Sequence, residues 1–365
     1  MKKHISLLLT LVLVLALFAG CAGTPVIYYS DCTCPVGSHD TPATPDVPDT
    51  TAAPVAEGAV KTGLYIGADI SGSTPVSADD TGMASGKADY DVTLVAVTVD
   101  DNGVITSCVI DSLGASVNFM EGGLPVDFDP EAPVQTKNEL GDNYGMVAYG
   151  GAKYEWYQQA AALADYAVGK TVEELKSGAI DESGKAADAD LASTATIYLG
   201  GYVAAIEKAV ANAAHLGAQA GDELKLATLN ELDASAAQEA GGGAVLTCDV
   251  TALTVKDGVI TSCVIDSLQA QVEFDGDGAL VTDVTAPVKT KNEQGEAYGM
   301  VAWGGAIAEW NEQAASFASY VTGKTAAEVA GIAVDEATKT TEADLAASVT
   351  ISIGGFQALI AKAMQ

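Results

Sequence analysis

Two kinds of hydrophobic pattern alternate along the chain, and both predict regular structure. Valine alternates with other residues from Val95 to Val99, the turn sequence Asp-Asn-Gly follows at 101–103, and a β-branched run then continues to Ile110. A period of two on both sides of a turn predicts a β-hairpin. The Asp-Gly pair at 257–258 predicts the turn of a second hairpin.

Helical periodicity follows each hairpin. Apolar residues recur at i, i+7 and i+11 and stop at a glycine; they are Trp156, Leu163 and Ala167 before Gly169, and Trp310, Phe317 and Val321 before Gly323. We predict that both stripes pack in the core. Threonine followed by glutamate three positions later then predicts capping boxes. These boxes are Thr171 with Glu174 and Thr325 with Glu328.

A further helix is predicted at the end of each half, after a strand-like segment and a Gly-Gly pair. Its apolar face recurs at i, i+4 and i+8, with Tyr202, Ile206 and Val210 in the first half and Phe356, Ile360 and Met364 in the second. Together with the hairpins, these helices predict the α+β class.

The two halves have the same patterns because the sequence is duplicated. Three segments recur 154 or 155 positions later: 104–112 at 259–267, 136–139 at 290–293, and 144–146 at 298–300. Copies of this length are domains rather than solenoid units. We therefore predict two tandem repeats, 59–216 and 217–365, each an antiparallel β-sheet with packed helices.

Composition narrows the classes of function. The 365 residues carry 17 basic and 49 acidic side chains, a net charge of −32, and 48% of them are hydrophobic. Such acidity argues against nucleic acid as a partner. The three histidines leave little material for a hydrolytic site. A hydrolytic enzyme is therefore the class of function that we rank last.

The N-terminus predicts export. Residues 1–20 combine a basic start with an apolar stretch, and 17–21, read Leu-Phe-Ala-Gly-Cys, resemble a bacterial lipobox in which Cys21 is lipidated. An ordinary secretory signal is the alternative. Residues 21–58 are rich in Thr, Pro and Asp and predict a disordered tether. We expect a lipid-anchored protein on the extracytoplasmic face of the cell membrane.

The cysteines leave two interpretations open. Cys108 and Cys263 lie in apolar β runs, where buried free thiols are expected. Cys248 and Cys263 are close enough in sequence for a hairpin to join them in a disulfide. Cys32 and Cys34 in the tether are expected as exposed thiols or an oxidised pair.

A short motif carries the most specific functional signal. Residues 190–196 read Asp-Leu-Ala-Ser-Thr-Ala-Thr. They resemble the flavinylation motif Asp-x-x-Ser/Thr-Gly-Ala-Thr of the FMN-binding domains found in Rnf and Nqr electron-transport subunits and in flavin-carrying surface lipoproteins. The resemblance implies that Thr196 accepts FMN through a phosphoester made by a separate flavin transferase. Asp190 and Ser193 match the motif, and Thr194 stands where the family has glycine.

The second copy of the motif is more divergent. Asp344 and Thr350 are retained, whereas Ala-Ser-Val at 347–349 replaces the middle of the pattern. The resemblance implies FMN as the cofactor. Lys137 and Lys291 are candidates to supply positive charge to its phosphate. Candidate aromatic residues for covering the flavin ring are Tyr144, Tyr149 and Trp156, and Tyr298, Trp303 and Trp310.

Two functions follow from these observations. The first is a membrane-anchored extracytoplasmic electron carrier that works with a flavin transferase and redox partners. The second is a non-redox surface lipoprotein that binds a ligand or partner and has degenerate flavin sites. The substitutions in the middle of both motifs favour the second function. The first is favoured by an order of elements that resembles the family's: a strand pair with Asp-Gly as at 257–258, a glycine-rich loop as at 138–145, and a helix that ends in Gly-Lys. Both functions are expected before an enzyme with its own catalytic side chains.

Overall fold

The computed structural model describes residues 58–78, 84–120, 123–237 and 241–365. All of these residues belong to one compact unit. The signal at 1–20, the lipidation residue Cys21 and the tether up to residue 57, with Cys32 and Cys34, lie outside the described residues. No helix in the described ranges is long and apolar enough to cross a membrane.

The chain is an α+β protein with two antiparallel sheets. The first sheet contains β1 (Lys61–Asp69), β2 (Thr74–Ala78), β3 (Ala84–Val99), β4 (Ile105–Met120) and β5 (Leu124–Val126). Its order is β1-β3-β4-β5, and β2 also pairs with β3. The second sheet contains β6 (Glu223–Ala237), β7 (Gly241–Lys256) and β8 (Val259–Phe274), in that order.

Helices follow each sheet in the chain. After the first sheet come α1 (Lys137–Leu140), α2 (Trp156–Ala167), α3 (Val172–Gly178), α4 (Ala189–Thr194) and α5 (Gly200–Ala211). After the second come α6 (Lys291–Gln294), α7 (Met300–Gly304), α8 (Trp310–Val321), α9 (Ala326–Ala330), α10 (Ala343–Ala346) and α11 (Gly354–Ala363). Short 3₁₀ turns at Gly141–Tyr144 and Gly295–Tyr298 extend α1 and α6.

The two sheets pack face to face, and the helices cover their outer faces. Successive residues of a strand point to opposite faces, so Leu94 lies in the core between the sheets while Val95 lies under the helices of the first half. In β7, Val250 faces the other sheet and Leu253 faces the helices of the second half. Burying one such aliphatic side chain contributes about 1.5–3 kcal/mol.

Specific contacts join the two sheets. The Tyr90 hydroxyl donates to the carbonyl of Ala244 at 2.7 Å in a buried setting. The rings of Phe119 and Phe274 lie with centroids 4.7 Å apart. The duplicated halves therefore share one core between their sheets, in addition to the core that each half forms with its own helices.

The predicted hairpins are confirmed. Val99 pairs with Ile105 across the first turn. In the second hairpin β7 ends at Lys256 and β8 begins at Val259, with Asp257 and Gly258 both at positive φ. Such a two-residue turn with left-handed backbone matches the twist of the flanking strands.

The predicted helix boundaries hold at several points. The side chains of Thr171 and Thr325 accept hydrogen bonds from the amides of Glu174 and Glu328, which reciprocate, so both capping boxes are present. The strand-like segment expected before the last helix is wrong for 189–194, which forms α4. The Asp188 side chain caps this helix by accepting the amides of Asp190 and Leu191.

The described cysteines Cys108, Cys248 and Cys263 are free thiols. The disulfide alternative for Cys248 and Cys263 is therefore not the arrangement in this structure. Burial raises the pKa of Cys108 and of Cys263 to about 12, and that of Cys248 further in the same direction. These thiols are packing groups rather than nucleophiles.

Candidate functional site

Thr196 lies just beyond the end of α4, in an extended segment that is tied to α2. Its amide, its hydroxyl and the amide of Ile197 all donate to Oε1 of Gln159, at 2.7, 3.1 and 3.1 Å. Two of these three bonds hold the backbone. The position of Thr196 is therefore set without depending on its hydroxyl.

Gln159 is buried on the inner face of α2. Its Nε2 donates to the carbonyl of Tyr154 at 2.9 Å, so both ends of the side-chain amide have partners. A buried amide with both ends satisfied has a fixed orientation, because rotation would leave polar groups without partners. Gln159 thus acts as a rigid bracket for the segment that contains Thr196.

The second half repeats this arrangement. Gln313 Oε1 accepts the amide and hydroxyl of Thr350 at 2.8 and 3.2 Å, and the amide of Ile351 at 3.2 Å. Gln313 Nε2 donates to the carbonyl of Ala308 at 2.8 Å. The two threonines differ in accessibility, because Thr196 is exposed and Thr350 is half-buried.

Thr194, the residue in place of the motif glycine, has an ordinary backbone. It is the last residue of α4, and the non-glycine residues with positive φ in the described ranges are Asp127, Asp257 and Thr338. A β-branched residue is strained only where φ is positive. The substitution therefore causes no backbone strain in this conformation.

Two lysines that the sequence did not single out bind the motif segment. Lys185 Nζ donates to the carbonyl of Thr196 at 2.8 Å, and Lys153 Nζ donates to the carbonyl of Ser193 at 3.3 Å. The position of Lys153 is taken by Ile307 in the second half. The first motif therefore has the greater positive charge close to its threonine.

The other motif residues lie on the short helices. Asp190 in α4 and Asp344 in α10 are exposed, each in the first turn of its helix. Ser193 is exposed and its hydroxyl donates to the carbonyl of Asp190 at 2.7 Å.

Lys137 and Lys291 lie over aromatic rings. Lys137 Nζ is 5.5 Å from the ring centroid of Tyr144 and 5.2 Å from that of Trp156. Lys291 Nζ is 5.6 Å from Tyr298 and 4.9 Å from Trp310. Burial lowers the pKa of Lys291, and the charges of nearby aspartates oppose that shift. Cation–π contacts of this kind give both lysines a structural partner.

The candidate aromatic residues divide into two groups. Trp156 and Trp310 are buried in the helix-side cores, as their spacing predicts. Tyr149 and Trp303 are 91% and 90% exposed and occupy corresponding positions of the two halves. Lys137 thus lies beside Tyr144 and Trp156, and Lys291 beside Tyr298 and Trp310. The remaining candidates, Tyr149 and Trp303, lie on the surface.

The duplicated Thr-Lys-Asn-Glu segment also has a structural role, because it caps a short helix and binds a buried aspartate. Thr136 and Glu139 form a capping box. The amide of Asn138 donates to Oδ1 of Asp111 at 3.1 Å. Burial raises the pKa of Asp111 to about 6, with hydrogen bonds opposing the shift, and Asp266 in the second half has the same pKa for the same reason.

Glutamates explain the other duplicated segments. The buried carboxylate of Glu155 accepts the amides of Met146 and Val147 at 2.8 and 2.9 Å. Glu309 accepts the corresponding amides of Met300 and Val301. In each half, the glutamate therefore ties the end of the duplicated Tyr-Gly-Met segment to the start of the long helix.

Gln159 and Gln313 are the site residues that sequence reasoning missed. Both copies read Trp-x-x-Gln at the start of the long helix, and this glutamine is three residues from a tryptophan that was predicted to be buried. A polar residue on an apolar helical face normally requires a partner. A glutamine on this buried face therefore indicates a hydrogen-bonded side chain, but its partner, Thr196, lies 37 residues away and cannot be identified from the sequence.

Comparison of the chain with protein-family models, with curated proteins and with solved structures gave no match. The likeness to FMN-binding domains therefore rests on the motif and on the order of the elements.

Proposed function

We propose that this protein is an extracytoplasmic electron carrier in which FMN is attached by a phosphoester to Thr196. The two halves would be divergent repeats of the FMN-binding type, and lipidated Cys21 would hold them at the membrane. Bound FMN supplies one- and two-electron redox chemistry, while the polypeptide fixes and shields it. No catalytic side chain of the protein itself is required.

The observation that carries the proposal is the bracket between Gln159 and Thr196. An acceptor threonine must keep its backbone in place while its hydroxyl reacts. Gln159 accepts two backbone amides from this segment in addition to the hydroxyl. Esterification removes one of three hydrogen bonds and leaves the other two.

The charges near Thr196 suit a phosphate. Lys185 and Lys153 bind carbonyls of the motif segment, so a phosphate there would meet positive charge on a protein whose net charge is −32. The transfer would form a bond between Thr196 Oγ1 and the phosphorus of a flavin nucleotide donor. It would break the bond from that phosphorus to the donor's leaving group and release the hydroxyl proton, with no change of oxidation state.

Thr350 is the weaker acceptor in this proposal. Thr350 is half-buried, and Ala-Ser-Val at 347–349 interrupts its motif. In addition, Ile307 stands at the position that corresponds to Lys153 in the first half. Modification at Thr196 is therefore expected to be more complete than modification at Thr350.

The test is the intact mass and visible absorbance of the full chain purified from cells that co-express a flavin transferase. We expect one FMN addition that is lost in Thr196→Ala, with a smaller second addition lost in Thr350→Ala. The Ser177→Ala variant, at an exposed serine of α3 outside the motif, is the matched control and should stay yellow. A colourless, unmodified chain under conditions in which a known acceptor domain is modified would contradict the proposal and favour a non-redox binding protein.

A further inference from the structure

At the margins of the core that the two halves share, two places correspond through the duplication. In the first sheet Ile66 lies opposite Leu94, and in the second sheet Thr228 lies opposite Val250. Leu94 and Val250 lie in turn opposite the buried aspartate of each half. Ile66 and Thr228 are therefore equivalent positions on the two edge strands.

The place beside Thr228 is filled by an ammonium group. Lys362 on α11 donates to the carbonyl of Thr228 at 2.7 Å. It also forms an ion pair with Oε1 of Glu139 from the other half. The remaining oxygen of Glu139 accepts the amide of Thr136 in the capping box at 2.9 Å.

The corresponding lysine of the first half, Lys208, does not occupy the equivalent position beside Ile66. Lys208 precedes Lys362 by 154 positions, but its Nζ binds the Tyr65 hydroxyl at 3.0 Å and lies 4.7 Å from the centroid of that ring. The second sheet has the small residue Ala227 where the first has Tyr65. The contacts with Tyr65 therefore hold the Lys208 ammonium group away from Glu293, the residue that corresponds to Glu139.

A cavity of about 350 Å³ remains at this second place. Its lining includes Leu64, Tyr65, Ile66, Val264, Asp266 and Glu293. Glu293 Oε2 accepts the amide of Thr290 at 2.9 Å, but neither Glu293 nor Asp266 forms an ion pair with a lysine or histidine of the described ranges.

Asp266 adds a second carboxylate to this lining. It is 8% exposed, and its Oδ1 accepts the amides of Ser267 and Asn292 at 2.7 and 3.0 Å. The cavity thus combines two carboxylates with the aliphatic side chains of Leu64 and Val264. A lysine side chain has the same combination of an ammonium head and an apolar stem.

We propose that this cavity binds a small primary alkylammonium ion, which takes the place that the Lys362 ammonium fills in the other half. The ammonium group donates to Glu293 Oε1 and to the carbonyl edge of β1 at Ile66. Its alkyl chain lies against the aliphatic lining. Hydrogen bonds between charged partners supply the specificity. The site is independent of the threonine motifs.

The probe for the test is butylammonium, which reproduces the lysine side chain, titrated into the full chain in detergent solution and followed by calorimetry. We expect saturable binding that Glu293→Gln weakens by about tenfold or more, because a charge-assisted hydrogen bond becomes a neutral one. Glutamine keeps the capping-box acceptor, so the variant should fold. Glu296→Gln, an exposed residue of the neighbouring turn, is the matched control and should bind as the original chain does.

Two further comparisons separate this site from charge attraction alone. Tetramethylammonium has the same charge without an N–H donor and should bind far more weakly. Tyr65→Ala should release Lys208 toward Glu293 and abolish binding of butylammonium, whereas the double variant Tyr65→Ala with Lys208→Ala lacks the competing ammonium group and should bind again. Absence of saturable binding to the original chain, or equal affinity in Glu293→Gln, would overturn the proposal.

Discussion

Gln159 accepts three hydrogen bonds from Thr196 and its neighbour, although 37 residues separate the two side chains in sequence. The contact joins the first long helix to the segment that contains the motif. It converts a surface loop into a fixed platform, and the same contact recurs between Gln313 and Thr350. The first prediction concerns the stability that these hydrogen bonds contribute.

Replacement of Gln159 by leucine should destabilise the protein. The substitution leaves two backbone amides and the carbonyl of Tyr154 without their partner, at a cost of about 2–4 kcal/mol. Urea unfolding followed by circular dichroism measures this loss. Gln159→Glu keeps an acceptor for the same donors and, when its carboxyl group is protonated at about pH 4, also a donor for the carbonyl of Tyr154, so at that pH it should lose less. Equal midpoints for the leucine variant and the original chain would show that the bracket contributes nothing.

The buried aspartates should make the protein less stable as the pH rises. In the folded protein the pKa of Asp111 and of Asp266 is about 6, above the ordinary value of 3.8. A raised pKa means that the folded state holds the proton more tightly. The stability from each aspartate is therefore complete below about pH 4 and is lost as the pH rises through about 6.

Asp266→Asn tests this effect, because asparagine still offers an oxygen to the amides of Ser267 and Asn292. Relative to the original chain, the variant should gain about 1–3 kcal/mol between about pH 4 and about pH 7. Free energies of unfolding at the two pH values measure the difference. Asp277→Asn, an exposed residue, is the control. A pH-independent difference between variant and original chain would contradict the buried-charge explanation.

The tyrosine between the sheets should contribute through its hydroxyl. Tyr90→Phe removes the donor to the carbonyl of Ala244 and leaves that oxygen buried, which should cost about 1–2 kcal/mol. Tyr198→Phe, at an exposed tyrosine, should change stability by less than about 0.5 kcal/mol. If both variants unfold at the same denaturant concentration, the hydroxyl does not help to hold the two sheets together.

Replacing each of the two tryptophans of the second half by alanine should change the stability of the protein by very different amounts. Trp310 is buried in the helix-side core, with its ring centroid 5.8 Å from that of Phe356, so Trp310→Ala should cost about 3–5 kcal/mol. Trp303 is 90% exposed, and Trp303→Ala should stay within about 0.5 kcal/mol of the original chain. Thermal unfolding of the two variants provides the comparison. A large loss for Trp303→Ala would indicate that this side chain packs against another surface in solution.

Local sequence signals predicted the hairpins, the long helices and the capping boxes, because each of these depends on residues a few positions apart. The Asp-Gly turn at 257–258 and the box at Thr171 are examples. The helix α4 escaped prediction because its six residues end in Ser-Thr, which suits a strand equally well. Its start depends on one capping side chain, Asp188.

Longer-range features could not be read from the sequence. The alternation at 95–99 predicts a strand, but it does not predict that one face of this strand packs against the other half of the same chain and the opposite face against helices. The partners of Gln159 and of Lys362 likewise depend on how distant segments pack. For the motif, the sequence identified Thr196, whereas the fold was needed to find Gln159 and Lys185 beside it.

The most direct test of the central claim is site-localising mass spectrometry of the tryptic peptide 186–208 from the chain co-expressed with a flavin transferase. This peptide follows Lys185 and ends at Lys208, and its serine and threonine hydroxyls are those of Ser193, Thr194 and Thr196. We predict that the FMN phosphoester is found on Thr196. FMN on Ser193 or Thr194, or an unmodified peptide in a preparation that modifies a known acceptor domain, would contradict the account.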